Sequence, residues 1–202
     1  MSRPLIALDA DGVLLDFHLA YASAWQRAFG AYPRERDPLA YWPIDRWDVE
    51  RLDAARRAQF RVQFDEHFWA TCPALPGAVD ACQRLVDAGF DLVCVSALEL
   101  EHGPARLRNL RDLDFPIERV IATGNATGER SPKADAIEAL DPIAFVDDYL
   151  PYLRGIPAQV HTALVLRAPN GSPNTGDEMK HLVKSVHQDL AEFTTHWLAA
   201  QR

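Results

Sequence analysis

The chain has 202 residues, 48% hydrophobic and 25% charged, a length that supports one well-packed core with at most a small appended lobe. Its formal net charge of -8, with no Lys/Arg-rich run, argues against a nucleic acid polymer as partner and leaves small phosphorylated ligands, whose charge a bound cation can offset. No apolar stretch is long enough for a membrane span, the start lacks a signal-peptide pattern, and three cysteines without CxxC spacing (Cys72, Cys82, Cys94) fit neither a disulfide framework nor a zinc cluster, so the chain reads as cytoplasmic.

Leu5 to Leu8 is a short continuous apolar run ending at Asp9, the pattern of a strand covered on both faces. Residues 17–75 hold no such run. They read instead as helices over Leu19 to Phe29 and about Val49 to Trp69, joined by an aromatic, Pro-rich connection. After Pro76-Gly77, apolar residues at helical spacing (Val79, Cys82, Leu85, Val86) predict a helix stopped by Gly89. Leu92 to Val95 is a second buried strand ending at Ser96.

An Arg-rich helix around Pro104 to Leu113 follows, then a strand over Arg119 to Ala122. Ser131 as N-cap with Pro132 as first helical residue predicts the next helix, and Ile143 to Val146 a strand ending at Asp147. Val160 to Leu166 reads as a further strand and Asn170-Gly171 as a turn. A capping box from Thr175 to Glu178 opens a final helix with Leu182, Val186, Leu190, Phe193 and Trp197 on one face.

The alternation predicts an α/β, Rossmann-like fold: a mostly parallel sheet with helices on both faces, built from 1–16 and 76–202, with residues 17–75 as a small helical cap. Ligands of such sheets bind beyond the carboxyl ends of the strands. At those ends stand Asp9, Ser96, the Thr123-Gly124 loop leading to Lys133, and Asp147-Asp148.

Asp9 and Asp11 lie two apart, and carboxylates that close repel unless a proton or cation sits between them. Mg2+ suits such hard oxygen ligands and also binds substrate phosphate, with Asp147 and Asp148 completing the site. Among 18 arginines and three lysines, Lys133 offers a compact ammonium able to neutralise a carboxylate and a phosphate oxygen together. Ser96 offers a hydroxyl, and Ala97 a backbone N–H, to another phosphate oxygen.

Four segments in order, D-A-D-G-V-L-L-D (Asp9 to Asp16), V-C-V-S (Val93 to Ser96), S-P-K-A-D (Ser131 to Asp135) and F-V-D-D (Phe145 to Asp148), resemble the motifs of the haloacid dehalogenase (HAD) superfamily of Mg2+-dependent phosphohydrolases. The resemblance covers Leu5 to about Leu150. It implies Asp9 as the nucleophile that becomes an aspartyl-phosphate and as a metal ligand, and Asp11 as the acid and then base, its backbone carbonyl on Mg2+. It implies Ser96, Ala97 and Lys133 as holders of the phosphoryl oxygens. Asp147 or Asp148 ligates the metal directly and the other acts through water. The family often has Asn or Gly where Ala97 stands, a departure that leaves the backbone donor intact. The resemblance implies a phosphatase rather than a dehalogenase, because dehalogenating members lack an acid at the position of Asp11.

A nucleoside monophosphate is one candidate substrate, since D-x-D-G-V-L-x-D-F with a helical lid is similar to the 5'-nucleotidase/deoxynucleotidase group. The alternatives are a phosphosugar mutase on the same core and a non-catalytic phospho-ligand binding or regulatory protein. A phosphonate-cleaving relative would need a lid lysine, and 17–76 contain none. Asp16 reads as a hydrogen-bonding residue of the flap, and Gly124 to Gly128 as a plain loop. The lid aromatics Trp25, Phe29, Trp42, Trp47, Phe64, Phe68 and Trp69 read as packing residues, with stacking on a nucleobase as the alternative. No histidine is assigned to the site.

Overall fold

The computed structural model describes residues 3–126 and 128–201; Thr127, in the Gly124 to Gly128 loop, lies outside them. In chain order the elements are β1 (Leu5–Leu8), α1 (Phe17–Phe29), α2 (Pro43–Arg46), α3 (Ala54–Arg61), α4 (Glu66–Ala70), α5 (Ala78–Asp87), β2 (Asp91–Ser96), α6 (Gly103–Asp112), β3 (Val120–Ala122), α7 (Ala134–Leu140), β4 (Ala144–Asp147), β5 (His161–Val165), α8 (Glu178–Leu182), β6 (Ser185–His187) and α9 (Leu190–Ala200). The strands form one sheet in the order β3-β2-β1-β4-β5-β6, every pair parallel. This is the doubly wound order, in which the chain reverses direction between β1 and β4 and leaves a crevice at their carboxyl ends.

Both sheet faces are covered, which explains the unbroken apolar runs. Ile6, Leu8, Cys94, Val146 and Val165 share one core with Cys82 and Leu85 of α5 and Phe193 of α9. Ala7, Val93, Phe145 and Leu164 share the other with Ile137 of α7 and with Leu150 and Leu153. Cys72, Cys82 and Cys94 are all buried free thiols.

Helices α1 to α4 leave the sheet after β1 and return before α5. The outgoing and returning passes hydrogen-bond to each other, Leu75 N–H to Leu14 O at 2.9 Å and Asp16 N–H to Pro73 O at 2.8 Å. Asp16 also caps α1, its side chain accepting from Leu19 N–H at 3.0 Å. The helical segment is not a separate lobe with its own interior: Trp25, Phe60 and Phe68 belong to the same apolar cluster as Leu8 and Leu85.

Three elements differ from expectation. The helix expected over Val49 to Trp69 is two, because Asp53 and Asp65 each accept from the N–H three residues on and start separate helices. Ser131 caps no helix directly. Its hydroxyl accepts from Lys133 N–H at 3.1 Å, forming a turn that presents Lys133 just before α7. The single final helix is α8, β6 and α9: Lys184 to His187 extends the sheet, and Asp189 accepts from Glu192 N–H at 2.7 Å to start α9 afresh. The Thr175 to Glu178 box is not formed, and Asp177 stands at the start of α8 without a side-chain cap.

Candidate active site

The end of β1 delivers Asp9 beside the end of β4, with Asp9 N–H donating to Val146 O at 2.9 Å. Asp147 follows as the last residue of β4, and Asp148 directly after it. Oxygens of Asp9, Asp147 and Asp148 all lie within 4.8 Å of one another, and all three residues are buried. Lys133 Nζ is fully buried between two of them, 2.6 Å from Asp9 Oδ1 and 2.7 Å from Asp147 Oδ2. The turn made by Ser131 thus brings one ammonium against two members of the acidic cluster.

Gly12 allows this approach. Its φ of +89° is one few side-chain-bearing residues adopt, and a Cβ there would stand 2.2 Å from Asp148 Oδ2 and 2.7 Å from Arg167 Nε.

Each carboxylate has a distinct set of partners. Asp147 gives Oδ2 to Lys133 and Oδ1 to Tyr149 N–H at 2.9 Å. Asp148 gives Oδ2 to Arg167 Nε and Nη2, at 3.2 and 2.9 Å. Asp11 meets Arg106, whose Nη2 reaches both its oxygens at 2.8 and 3.0 Å.

Burial and the nearby Asp9 and Asp148 carboxylates push Asp147 well above the usual carboxylate range, against the pull of Lys133. Burial, with Asp9 adding to it, pushes Asp148 up to about 6 although Arg167 opposes it. Asp11 is raised by burial and by Asp9, against Arg106. For Lys133, burial disfavours the charge, but Asp147 and Asp9 outweigh it and hold the ammonium protonated. Four carboxyl groups face three cations here, so with every carboxyl ionised the cluster carries one negative charge in excess, which disfavours that state unless a further cation is present. A divalent cation fits that excess and donor set, because hard cations bind carboxylate oxygens at about 2.0 to 2.6 Å and span such a group.

Above the cluster lies a cavity of about 360 Å3 lined by Asp9, Asp11, Ser96, Ala97, Asp148 and Arg167, and from the segment between β1 and α5 by Phe17, His18, Tyr41, Trp42 and Trp69. The structure therefore brings together Asp9, Asp11, Ser96, Ala97 and Asp148 at one surface, with Lys133 and Asp147 buried beneath. Of the lid aromatics, Trp42 and Trp69 line the cavity. Trp25, Phe29, Phe64 and Phe68 pack tilted or edge-on against one another and Phe60, while Trp47 donates to His18 O at 3.0 Å.

The sequence reading missed Arg106, Arg167, His18, Tyr41, Tyr149 and Tyr152. Arg167 stands just beyond β5, and the strand-end rule applied to that strand points to it. The others come from helices and turns, whose direction toward the site is tertiary information. His18 is buried; burial above all, then the charges of Arg167 and Arg46, lowers it to about 3, so the ring is neutral.

No protein-family model matches the chain. A curated Bordetella pertussis protein named "Putative 5'(3')-deoxyribonucleotidase" is 31% identical over 110 residues, 46% of this chain and 50% of that one; the match spans about half the relative's length. A HAD family hydrolase from Deinococcus radiodurans, solved with bound phosphate and sodium, superposes with a TM-score of 0.67 at 16% identity, over 99% of this chain and 97% of that one. An L-2-haloacid dehalogenase superposes with a TM-score of 0.60 at 16% identity, over 97% of this chain and 100% of that one. Together with the strand order and the acidic crevice, these likenesses identify the fold as that of the haloacid dehalogenase family.

Proposed function

We propose that the protein is a Mg2+-dependent phosphatase that hydrolyses a small phosphate monoester through an aspartyl-phosphate on Asp9. The observation that carries this reading is the buried Lys133 ammonium held between Asp9 and Asp147, directly beneath a cavity whose floor carries Asp9, Asp11 and Ser96. Asp9, the Asp11 carbonyl and Asp148 would hold the cation. Asp148 is favoured over Asp147 as the direct ligand because both Asp147 oxygens already serve Lys133 and Tyr149 N–H. A cation held there would supply charge stabilisation to a phosphoryl group whose charge is spread over its three equatorial oxygens during transfer.

Lys133 fixes Asp9 Oδ1 and so orients the nucleophile, and its charge offsets the charge of the incoming phosphate. Ser96 and the Ala97 N–H bind phosphoryl oxygens. Asp11 gives a proton to the leaving oxygen and then takes one from the attacking water. Residues 17–75 act as a substrate-selecting cap over a core of 1–16 and 76–202. The aromatic wall of Trp42, Trp69, Tyr41 and Phe17 favours a planar leaving group, so a nucleoside monophosphate is the first candidate. The buried thiols suit a reducing, cytoplasmic setting.

Phosphate release from nucleotides, sugar phosphates and small phosphorylated acids, measured with Mg2+ and with chelator, tests the reading. Turnover that needs the metal, and a fall of at least about 1,000-fold in Asp9→Asn, are expected. Metal-independent turnover or an active Asp9→Asn contradicts the mechanism. Isomerised product without released phosphate would point to a mutase instead.

A further inference from the structure

Arg106 projects from α6 and is fully buried, an unfavourable place for a guanidinium unless its charge is matched. Its Nη2 spans both oxygens of Asp11, whereas Nη1 approaches Asn109 Oδ1 only at 3.4 Å and Nε is buried without a partner among the described residues. Trp69 covers the group, its ring centroid 5.1 Å from the guanidinium carbon. Asn109, three residues on, donates to the Cys72 carbonyl at 3.0 Å, where the helical segment rejoins the sheet. A core helix thus carries the guanidinium and a cap residue roofs it.

An apolar side chain of similar volume would serve the fold at least as well as a half-satisfied arginine. What the guanidinium adds is a grip on both oxygens of a carboxylate whose side chain is 26% exposed at the cavity.

We infer that Arg106 is a positioning residue for Asp11, fixing the direction in which that carboxyl group meets the reacting phosphoryl group. The inference rests on the phosphatase reading. In the first displacement an Asp9 oxygen bonds to phosphorus, the bond from phosphorus to the ester oxygen breaks with its electron pair, and that oxygen takes a proton from Asp11. In the second, water attacks phosphorus and gives a proton to Asp11 as the bond from phosphorus to Asp9 breaks. Both proton transfers occur in one small volume, so a carboxyl group free to rotate loses rate in each.

The test is steady-state hydrolysis of p-nitrophenyl phosphate with Mg2+ by the wild type, Arg106→Met, Arg106→Lys, Asp11→Asn and the Arg106→Met/Asp11→Asn double variant. Arg106→Met is expected to lower kcat about 10- to 100-fold with KM within about 3-fold, and Arg106→Lys to recover part of the loss. In the Asp11→Asn background the same change is expected to alter kcat less than about 2-fold, since a residue acting through Asp11 has nothing left to act on. The double variant removes both members of the ion pair and so retains its fold where Arg106→Met leaves Asp11 unpaired. If Arg106→Met fails to fold, Arg106→Lys carries the same comparison in both backgrounds.

Equal losses in both backgrounds, or no loss in the wild-type background, overturn the inference. A wild type that hydrolyses no ester, or a fully active Asp11→Asn, overturns the phosphatase reading itself, a distinct outcome.

Discussion

Lys133 shows why a residue can be nearly invisible in composition and dominant in energetics. Its ammonium has no exposure and sits between two carboxylates that would otherwise repel across a few ångströms. Rings of Tyr152 and Phe145 lie 4.6 and 5.6 Å from it and complete a dry setting. Removing it as Lys133→Met leaves those charges uncompensated, a change that costs about 3 to 5 kcal/mol when a buried pair is broken. Urea unfolding of the variant should show that loss, and adding Asp147→Asn should restore part of it, because one of the two unpaired charges is gone. An unchanged unfolding midpoint would mean the triad contributes nothing to the folded state. The strand-end position of Asp9 and the scarcity of lysine around Lys133 were readable from the sequence. Arg106 was not, since among 18 arginines nothing local tells a buried guanidinium in a helix from a solvated one.

At the level of elements, the buried strands were legible because each is a short apolar run closed by a polar residue. The sixth was not. Ser185-Val186-His187 is only three residues long and its burial is uneven, while Leu182, Val186, Leu190 and Phe193 keep a helical period through it. Pairing with β5 decides the matter, placing Ala163, Leu164 and Val165 opposite Ser185, Val186 and His187. The competing local signal lay at Asp189, whose carboxylate caps α9 while Glu192 Oε2 accepts from Gln188 N–H at 2.6 Å. Asp189→Ala should therefore destabilise the protein by about 1 kcal/mol, read as a lower thermal midpoint, without altering the sheet. No change in midpoint would indicate that packing of Phe193 and Trp197 alone starts the helix.

Across the whole molecule, the loop after β5 joins the acidic crevice to the cap. Arg167 grips the Asp148 carboxylate, and Asn174 Nδ2 donates to the Asp148 carbonyl at 2.6 Å. Between them, Asn170 accepts from Tyr41 N–H at 2.9 Å and donates its own N–H to Leu39 O at 3.0 Å, and Tyr41 Oη donates to the Asp148 carbonyl at 3.3 Å. The cap's position and the placement of Asp148 are thus set by one segment. The alternation of strands and helices and the four motifs were within reach of sequence reading because they are local patterns along the chain. This clasp was not, since it joins residues more than a hundred positions apart. The proposed mechanism requires a phosphoryl group to rest transiently on Asp9, and that adduct can be trapped. Protein mixed with Mg2+ and a nucleoside monophosphate, quenched in acid and examined by peptide mass spectrometry, should carry one added phosphoryl group on the peptide containing Asp9, absent with chelator and in Asp9→Asn. Phosphate released at full rate by the wild type with no such adduct at any quench time would contradict that mechanism.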